Sequence, residues 1–164
     1  MAGITTKGLT ETMKMLEKLD RNTDKIIEDA LKEGIGIVTD EVRKQIKGLK
    51  TGREEKKDWK EKDDGTSYPS KKAVQGLLDS LGYTPIKMNG TKFDVKAGFD
   101  GYNNVITKRY PRGHSNKMMA NKIDKGTSFM PAQPFLNRAK KQAQKACLEA
   151  IEKKIDQEIK KINK

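Results

Sequence analysis

The chain has 164 residues and a formal net charge of +12, and 32 of its residues are Leu, Ile, Val or Phe. This length allows one domain, while few apolar residues and a high charge lie near the range typical of disordered chains. No apolar run approaches the roughly 20 residues of a membrane span. A lone cysteine, Cys147, excludes an internal disulfide and is typical of a protein made in a reducing cytosol.

The apolar residues follow helical and strand periods, so we predict a folded single domain, residues 1–164, whose core neighbouring subunits complete. A short amphipathic helix is expected from about Leu9 to Leu19, and a longer one from about residue 23 to 48. Gly34 and Gly36 interrupt the longer helix, which predicts close packing or a bend there. Its apolar residues, three or four positions apart, are Ile27, Leu31, Ile35, Val38, Val42, Ile46 and Leu49.

Residues 53–70 differ in composition from the helical segments that precede them. Charged side chains dominate the stretch from Arg53 to Asp64, and Trp59 lies at its centre. This composition predicts a charged insertion that is solvated or mobile. An apolar ring among charged residues is often buried by a binding partner. The alternative to a solvated segment without a role is therefore a docking segment. The candidate interface residues are Arg53, Lys56, Lys57, Trp59 and Lys60.

A short helix capped by Ser70 is expected next, followed by a β-hairpin. Asn89-Gly90 is the favoured two-residue hairpin turn because both positions tolerate positive φ, which places Met88 opposite Thr91. Pro85 suggests an edge position or the beginning of the first strand. The second strand is predicted to be continuous, with one face formed by Phe93, Val95, Ala97 and Phe99.

The C-terminal part adds a weaker strand from Asn104 to Arg109, a short helix from Asn116 to Ile123, and a long last helix. Pro134 opens this last helix where its missing N–H costs nothing. The order of elements predicts an α+β domain with long helices packed against a small antiparallel sheet. The apolar stripe of the last helix comprises Phe135, Ala139, Ala143, Ala146 with Cys147, Ala150 with Ile151, Ile155, Ile159 and Ile162.

Residues that carry chemistry are scarce. His114 is the only histidine, and a surface position is expected for it in its loop beside Arg112. The spacing of a zinc site is absent, and no phosphate-binding glycine motif occurs. Cys147 lies in a helical stripe, which predicts a small buried thiol rather than a nucleophile. We therefore expect no enzymatic activity, no cofactor and no metal.

The positive charge makes nucleic-acid binding the main alternative. From Arg138 to Lys164 the last helix carries nine basic and four acidic residues, which are interleaved rather than gathered on one face. Nine aromatic residues are few for a base-stacking platform. The alternative that remains is therefore non-specific attraction to a phosphate backbone, and we do not expect sequence-specific readout. A third hypothesis is a cytosolic helical adaptor that docks through the stretch from Arg53 to Asp64.

The segment from Gly126 to Ala139 reads GTSFMPAQPFLNRA. It resembles the C-terminal motif of a bacteriophage tail-component family, which covers tail-completion, tail-terminator and head–tail joining proteins of long-tailed phages and their domesticated relatives. Asp124 stands where the family commonly has a glutamate, and Lys125 replaces a usual aromatic residue. The residues of this chain that match the motif are Gly126, Thr127, Met130, Pro131, Pro134, Phe135 and Leu136.

The resemblance implies a non-enzymatic virion protein assembled in the bacterial host cytoplasm. It implies a ring, hexameric by analogy, at the head-proximal end of a phage tail or tail-like particle, where it terminates the tail tube or joins the tail to the connector. The implied partners are further copies of the chain, the tail tube, and the connector or neighbouring tail proteins, with non-specific contact to transiting DNA and none to a membrane.

The residues of the motif have a physical reading of their own. Gly126 can turn the chain with positive φ. Pro131 and Pro134 each fix a φ angle, so the connection into the last helix is expected to be rigid before assembly. Phe135 and Leu136 are then expected to anchor the first helical turn in the core.

Overall fold

A computed structural model describes residues 23–52, 68–90, 92–103, 106, 108 and 110–162. The predicted helix from Leu9 to Leu19 and most of the charged insertion lie outside this part. The helices described are α1 (Thr23–Lys47), α2 (Lys71–Ser80), α3 (Asn116–Lys125) and α4 (Phe135–Ile162). The strands described are β1 (Leu81–Tyr83), β2 (Lys87–Asn89), β3 (Lys92–Asp94) and β4 (Ala97–Phe99). The chain is thus an α+β protein with small antiparallel sheets and a long C-terminal helix, as predicted.

The chain groups into two compact units, each built from segments that are distant in sequence. One unit comprises Met1–Glu41, Tyr83–Ala97 and Lys140–Lys164, and the other comprises Val42–Gly82 and Gly98–Ala139. The single domain over residues 1–164 stays a prediction. No helix in the described ranges is both long enough and apolar enough to cross a membrane.

Helix α1 follows the predicted apolar stripe, and close packing explains one of its two glycines. A Cβ placed on Gly34 would lie 2.6 Å from Ile151 Cδ1 and 3.1 Å from Cys147 Sγ, so α4 packs so closely that a side chain here would displace Ile151. Gly36 faces open space. The buried residues of the stripe are Ile27, Ile35, Val38, Val42, Ile46 and, just beyond the helix, Leu49.

The hairpin is present, but its turn comes one residue later than predicted. The predicted pairing of Met88 with Thr91 is wrong, because Met88 lies opposite Phe93. This register pairs two apolar side chains across the strands, which stabilises a sheet more than an apolar–polar pair. Gly90 takes φ 61°, as the first turn position of a primed hairpin turn requires. The observed pairs are Lys87 with Asp94, Met88 with Phe93, and Asn89 with Lys92.

The predicted continuous second strand is interrupted between β3 and β4. β3 pairs with β2, whereas β4 pairs with β1. Three residues, 84–86, connect β1 to β2, whereas two residues, 95–96, connect β3 to β4. The β1–β2 side of the hairpin therefore carries one extra residue, as in a β-bulge. Thr84 spans the step: its N–H donates to Lys96 O at 2.8 Å, and Lys96 N–H donates to Thr84 Oγ1 at 3.1 Å. Pro85, which has no N–H to donate, lies in the bulge.

The alternation predicted for the second strand is confirmed, although the strand is divided into β3 and β4. Half-buried side chains alternate with exposed ones along residues 92–99. The half-buried residues are Phe93, Val95, Ala97 and Phe99.

The predicted strand from Asn104 to Arg109 is not found at its two described residues. Ile106 and Lys108 are outside any strand, and Ile106 is 70% exposed, so no apolar face is buried there. A single bridge between Tyr102 and Ser115 precedes α3 instead.

The remaining helix ends agree with the sequence to within two residues. Ser70 Oγ accepts from Ala73 N–H at 3.2 Å and caps α2. Helix α3 continues two residues beyond Ile123. Helix α4 begins directly after Pro134, whose carbonyl accepts the first helical bond from Arg138 N–H at 3.3 Å. The buried residues of its stripe are Phe135, Ala139, Ala143, Cys147, Ile151 and Ile155.

Candidate functional site: the junction between α3 and α4

The α3–α4 junction, residues 126–134, begins at a position that only glycine fits. Gly126 ends α3 with φ 77°. A Cβ there would lie 2.8 Å from Ala132 N and 2.9 Å from Met130 O. Both the backbone conformation and the lack of space therefore exclude a side chain, as the predicted turn requires.

A tight turn follows, and Thr127 closes it. Thr127 N–H donates to Met130 O at 2.8 Å, and Met130 N–H donates back to Thr127 O at 3.3 Å. The Thr127 hydroxyl oxygen also accepts from Met130 N–H at 3.1 Å and from Phe129 N–H at 3.3 Å. Because the turn is closed from both ends, it holds Phe129 at its tip, where the ring is 74% exposed.

Gln133 ties the junction to the end of α1, a role that the sequence did not predict. Its backbone N–H donates to Ile123 O at 2.8 Å. Its side-chain Oε1 accepts from Lys50 N–H at 2.8 Å, and its Nε2 donates to Lys50 O at 3.1 Å. One amide side chain thus satisfies both backbone groups of a residue that follows α1. The only sequence signal is its place directly before Pro134.

Asp124, in the last turn of α3, caps the start of α4. Its Oδ1 accepts from Leu136 N–H at 2.9 Å. The N–H groups in the first turn of a helix have no partner within the helix, and a carboxylate there also interacts favourably with the helix dipole. The sequence marked Asp124 only as a replacement for a glutamate, so its capping role was missed.

The first residues of α4 divide between core and surface. Phe135 is fully buried, as predicted, and its ring contacts Phe99 edge to face, with 6.3 Å between the ring centroids. Leu136 is only half-buried, while Pro131 and Pro134 are exposed. One aromatic ring therefore provides most of the anchoring.

The candidate interface residues of the insertion fall outside the described residues, but the two ends of that insertion are described. Gly52 N–H donates to Pro69 O at 3.0 Å. A Cβ on Gly52 would lie 3.1 Å from Tyr68 O. The chain therefore leaves and returns at one place. The candidate interface residues, which lie outside the described residues, are Arg53, Lys56, Lys57, Trp59 and Lys60.

A second polar cluster joins the beginning of α3 to the loop that follows β4. Asn116 Nδ2 donates to Asp100 O at 2.9 Å. Asn103 N–H donates to His114 O at 2.9 Å, and His114 N–H donates back to Asn103 Oδ1 at 3.1 Å. Gly113, with φ 82°, allows this approach because a Cβ there would overlap Asn103 O. These bonds hold the loop that follows β4 against the beginning of α3. An open cleft of about 590 Å³ lies beside them.

His114 is half-buried, in contrast to the surface position expected for it. Its ring packs on Tyr110 with 3.9 Å between ring centroids. Burial, and to a smaller extent the positive charge of Lys122, lower the pKa of His114 below its ordinary value.

The titratable groups of the described residues form no evident catalytic arrangement. No group of three or more His, Cys, Asp or Glu side chains in the described ranges is placed to hold a metal ion. Cys147 is buried as predicted, and burial raises the pKa of its thiol, which opposes formation of the nucleophilic thiolate. No protein-family model, curated protein or solved structure matches this chain.

Proposed function

We propose that this chain is a structural subunit of a phage tail or a tail-like particle. In this proposal it forms a hexameric ring at the head-proximal end of the tail, and the ring terminates the tail tube or joins the tail to the connector. The observation that carries the proposal is the α3–α4 junction, because its residues are those of the family-like motif and form a rigid, cross-braced connection.

The bracing of the junction suits a ring subunit, which must offer the same geometry in every copy. The junction is held by Asp124 at the start of α4, by Gln133 at the end of α1 and by Thr127 within its own turn. Because these bonds form within one chain, little conformational entropy remains to be lost when an interface forms.

Exposed apolar side chains give further support to an assembled state. Single exposed apolar residues are common on monomers, but this chain exposes several large ones although it has few apolar residues in total. Neighbouring subunits, the tail tube or the connector would cover them in the assembled particle. These side chains are Tyr83, Met88, Tyr102, Ile106, Met118 and Phe129.

Deletion of the gene tests the proposal. We expect particles without this protein to have tails of abnormal length, or tails and heads that fail to join, as seen by negative-stain electron microscopy. Normal particles would refute the proposal.

Complementation with point variants connects the test to the junction. Phe129→Ser should leave the fold intact, because the ring is exposed, and should reduce the yield of complete particles. Ser128→Ala, at the neighbouring exposed position, is the matched control and should restore normal particles.

A further inference from the structure

One face of α3 carries three lysines. Lys117, Lys122 and Lys125 line an open cleft of about 390 Å³. We call this surface the α3 lysine face; its residues are Ser115, Lys117, Met118, Asn121, Lys122 and Lys125.

No ion pair among the described residues neutralises the positive charge of this face. Asp124 is the only acidic residue between Ile106 and Lys125, and its Oδ1 is already bound to the α4 backbone. None of the three lysines forms an ion pair within the part of the chain that the structure describes. The basic residues of the same stretch are Lys108, Arg109, Arg112, Lys117, Lys122 and Lys125.

The loop before α3 positions one of these charges. Lys122 Nζ lies 5.8 Å from the centroid of the Tyr110 ring, within the range of a cation–π interaction. The Tyr110 ring is itself packed on His114. Gly113 N–H donates to Tyr110 O at 3.0 Å and closes a turn that carries the exposed Arg112. A further cation is therefore held in the turn that contacts Lys122.

We propose that the α3 lysine face binds the phosphate backbone of duplex DNA without reading its sequence. Lysine is depleted at protein–protein interfaces, whereas phosphate contacts use lysine together with neutral amide and hydroxyl donors. Asn121 and Ser115 supply such donors, and the hydroxyl of Ser115 makes no capping bond to α3.

The dimensions of the face fit a short run of phosphates. Lys117 and Lys125 are eight residues apart, which is about 12 Å along a helix. A DNA strand carries one charge per roughly 3.4 Å of axis, so the face covers about three to four phosphates. Lys122 lies between the other two lysines along the helix, so the three cations are spread over this run of phosphates.

This proposal goes beyond the ring and does not depend on it, because binding is a property of the isolated chain. The test uses the full-length protein and a fluorescent duplex of about 20 base pairs, with anisotropy measured over a salt series from about 20 mM. The variant Lys117→Gln/Lys122→Gln/Lys125→Gln should bind at least about tenfold more weakly at low salt. The slope of log K against log salt should become shallower by about three.

A charge-matched control separates the face from general attraction. Lys140→Gln/Lys141→Gln/Lys153→Gln removes the same charge from exposed positions of α4 and should change the affinity less than about threefold. The triple Lys→Arg variant of the face should retain binding. Circular dichroism of each variant verifies its fold.

Three outcomes would overturn the proposal. The first is no binding by the native chain at low salt, and the second is an equal loss in the two glutamine triples. The third is equal affinity for a polyglutamate peptide, which would indicate an acidic protein as the partner. None of these outcomes bears on the ring, whose test is particle morphology.

Discussion

Gly126 shows how a single residue determines the junction, because both its φ of 77° and its surroundings exclude a side chain. We expect Gly126→Ala to lower the free energy of unfolding by about 3 kcal/mol, from backbone strain together with overlap on Ala132 and Met130. Urea denaturation measures the change. Gly36→Ala is the control and should raise the free energy of unfolding by about 0.5–1 kcal/mol, because this helical site faces open space. An unchanged stability of Gly126→Ala would contradict the strained geometry.

Asp124 supports a prediction about capping. Asp124→Ala should lower the free energy of unfolding by about 1 kcal/mol, because Leu136 N–H loses its acceptor and the start of α4 loses a negative charge. Asp124→Asn keeps an acceptor and should lose less. Asp156→Ala, at an exposed position within α4, should stay within about 0.5 kcal/mol of the native chain. Equal effects of the two alanine variants would exclude a capping role.

His114 supports a prediction about pH. Its Nδ1 is buried and has no hydrogen-bond partner among the described residues, Tyr110 packs on its ring, and Lys122 is the charged group facing it. Lys122→Gln should therefore raise the pKa of His114 toward 6.5, as measured by NMR titration, although burial continues to lower it. Lys125→Gln is the control and should leave that pKa nearly unchanged.

The same shift fixes the sign of the pH dependence of stability. Between the lowered pKa of folded His114 and the ordinary value of 6.5, the unfolded chain binds a proton that the folded chain does not. Stability should therefore fall as the pH falls through this window. His114→Gln should remove this part of the dependence, and an unaltered pH profile would contradict the assignment.

Asp124 and Gln133 could not be predicted as junction residues from the sequence. Their partners, Leu136 and Lys50, are 12 and 83 residues away, so no local pattern records the contacts. Gly126 and Phe135 were predictable because a helix end that needs positive φ, and an apolar residue at the first turn, are local signals.

The long helices were predictable for a similar reason. Helix α1 carries apolar residues every three or four positions over seven turns, and a stripe of that length has no alternative as a strand. The hairpin was predicted from its turn residues, but its exact register depends on which side chains meet across the strands. Met88 and Phe93 meet only when the turn shifts by one residue.

The bulge at Pro85 supports a prediction at the level of elements. Tyr83 of β1 and Met88 of β2 are five positions apart, which would place them on opposite faces of an unbroken strand. Ala97 of β4 and Phe93 of β3, on the opposite strands, lie on one face, because the extra residue corrects the alternation. Deleting Pro85 should therefore join the two short sheets into one regular hairpin with the same inward face. Hydrogen exchange should then show protection at the residues that connect β3 to β4. Loss of protection throughout the hairpin would contradict this reading.

For the whole molecule, the hydrogen bond between Gly52 and Pro69 predicts that the charged insertion is dispensable for folding. Replacing residues 54–66 with two glycines should change the free energy of unfolding by less than about 1 kcal/mol, because loop entropy varies slowly with length. Thermal unfolding measures this. The same variant tests the docking role of Trp59: normal assembly would leave the insertion as solvated surface, and failed assembly by a folded chain would support docking.

The sequence carries a stronger signal for the fold of the whole molecule than for its function. The helical stripes repeat over many turns, whereas the family-like signal occupies one segment of about a dozen residues around Pro134. In the structure that segment forms a hydrogen-bonded connection between two helices, and such a connection contains no set of reactive side chains that a motif could indicate. The clustering of charge on α3 also depends on folding, since Lys117 and Lys125 meet on one face only within a helix.

The amide of Gln133 has one more consequence. It offers Lys50 an acceptor and a donor, as the backbone of a neighbouring strand would. Backbone groups left open in an extended segment can recruit a strand from another chain and begin aggregation. By occupying both backbone groups of Lys50, this side chain leaves neither of them open to pairing with a strand of another chain.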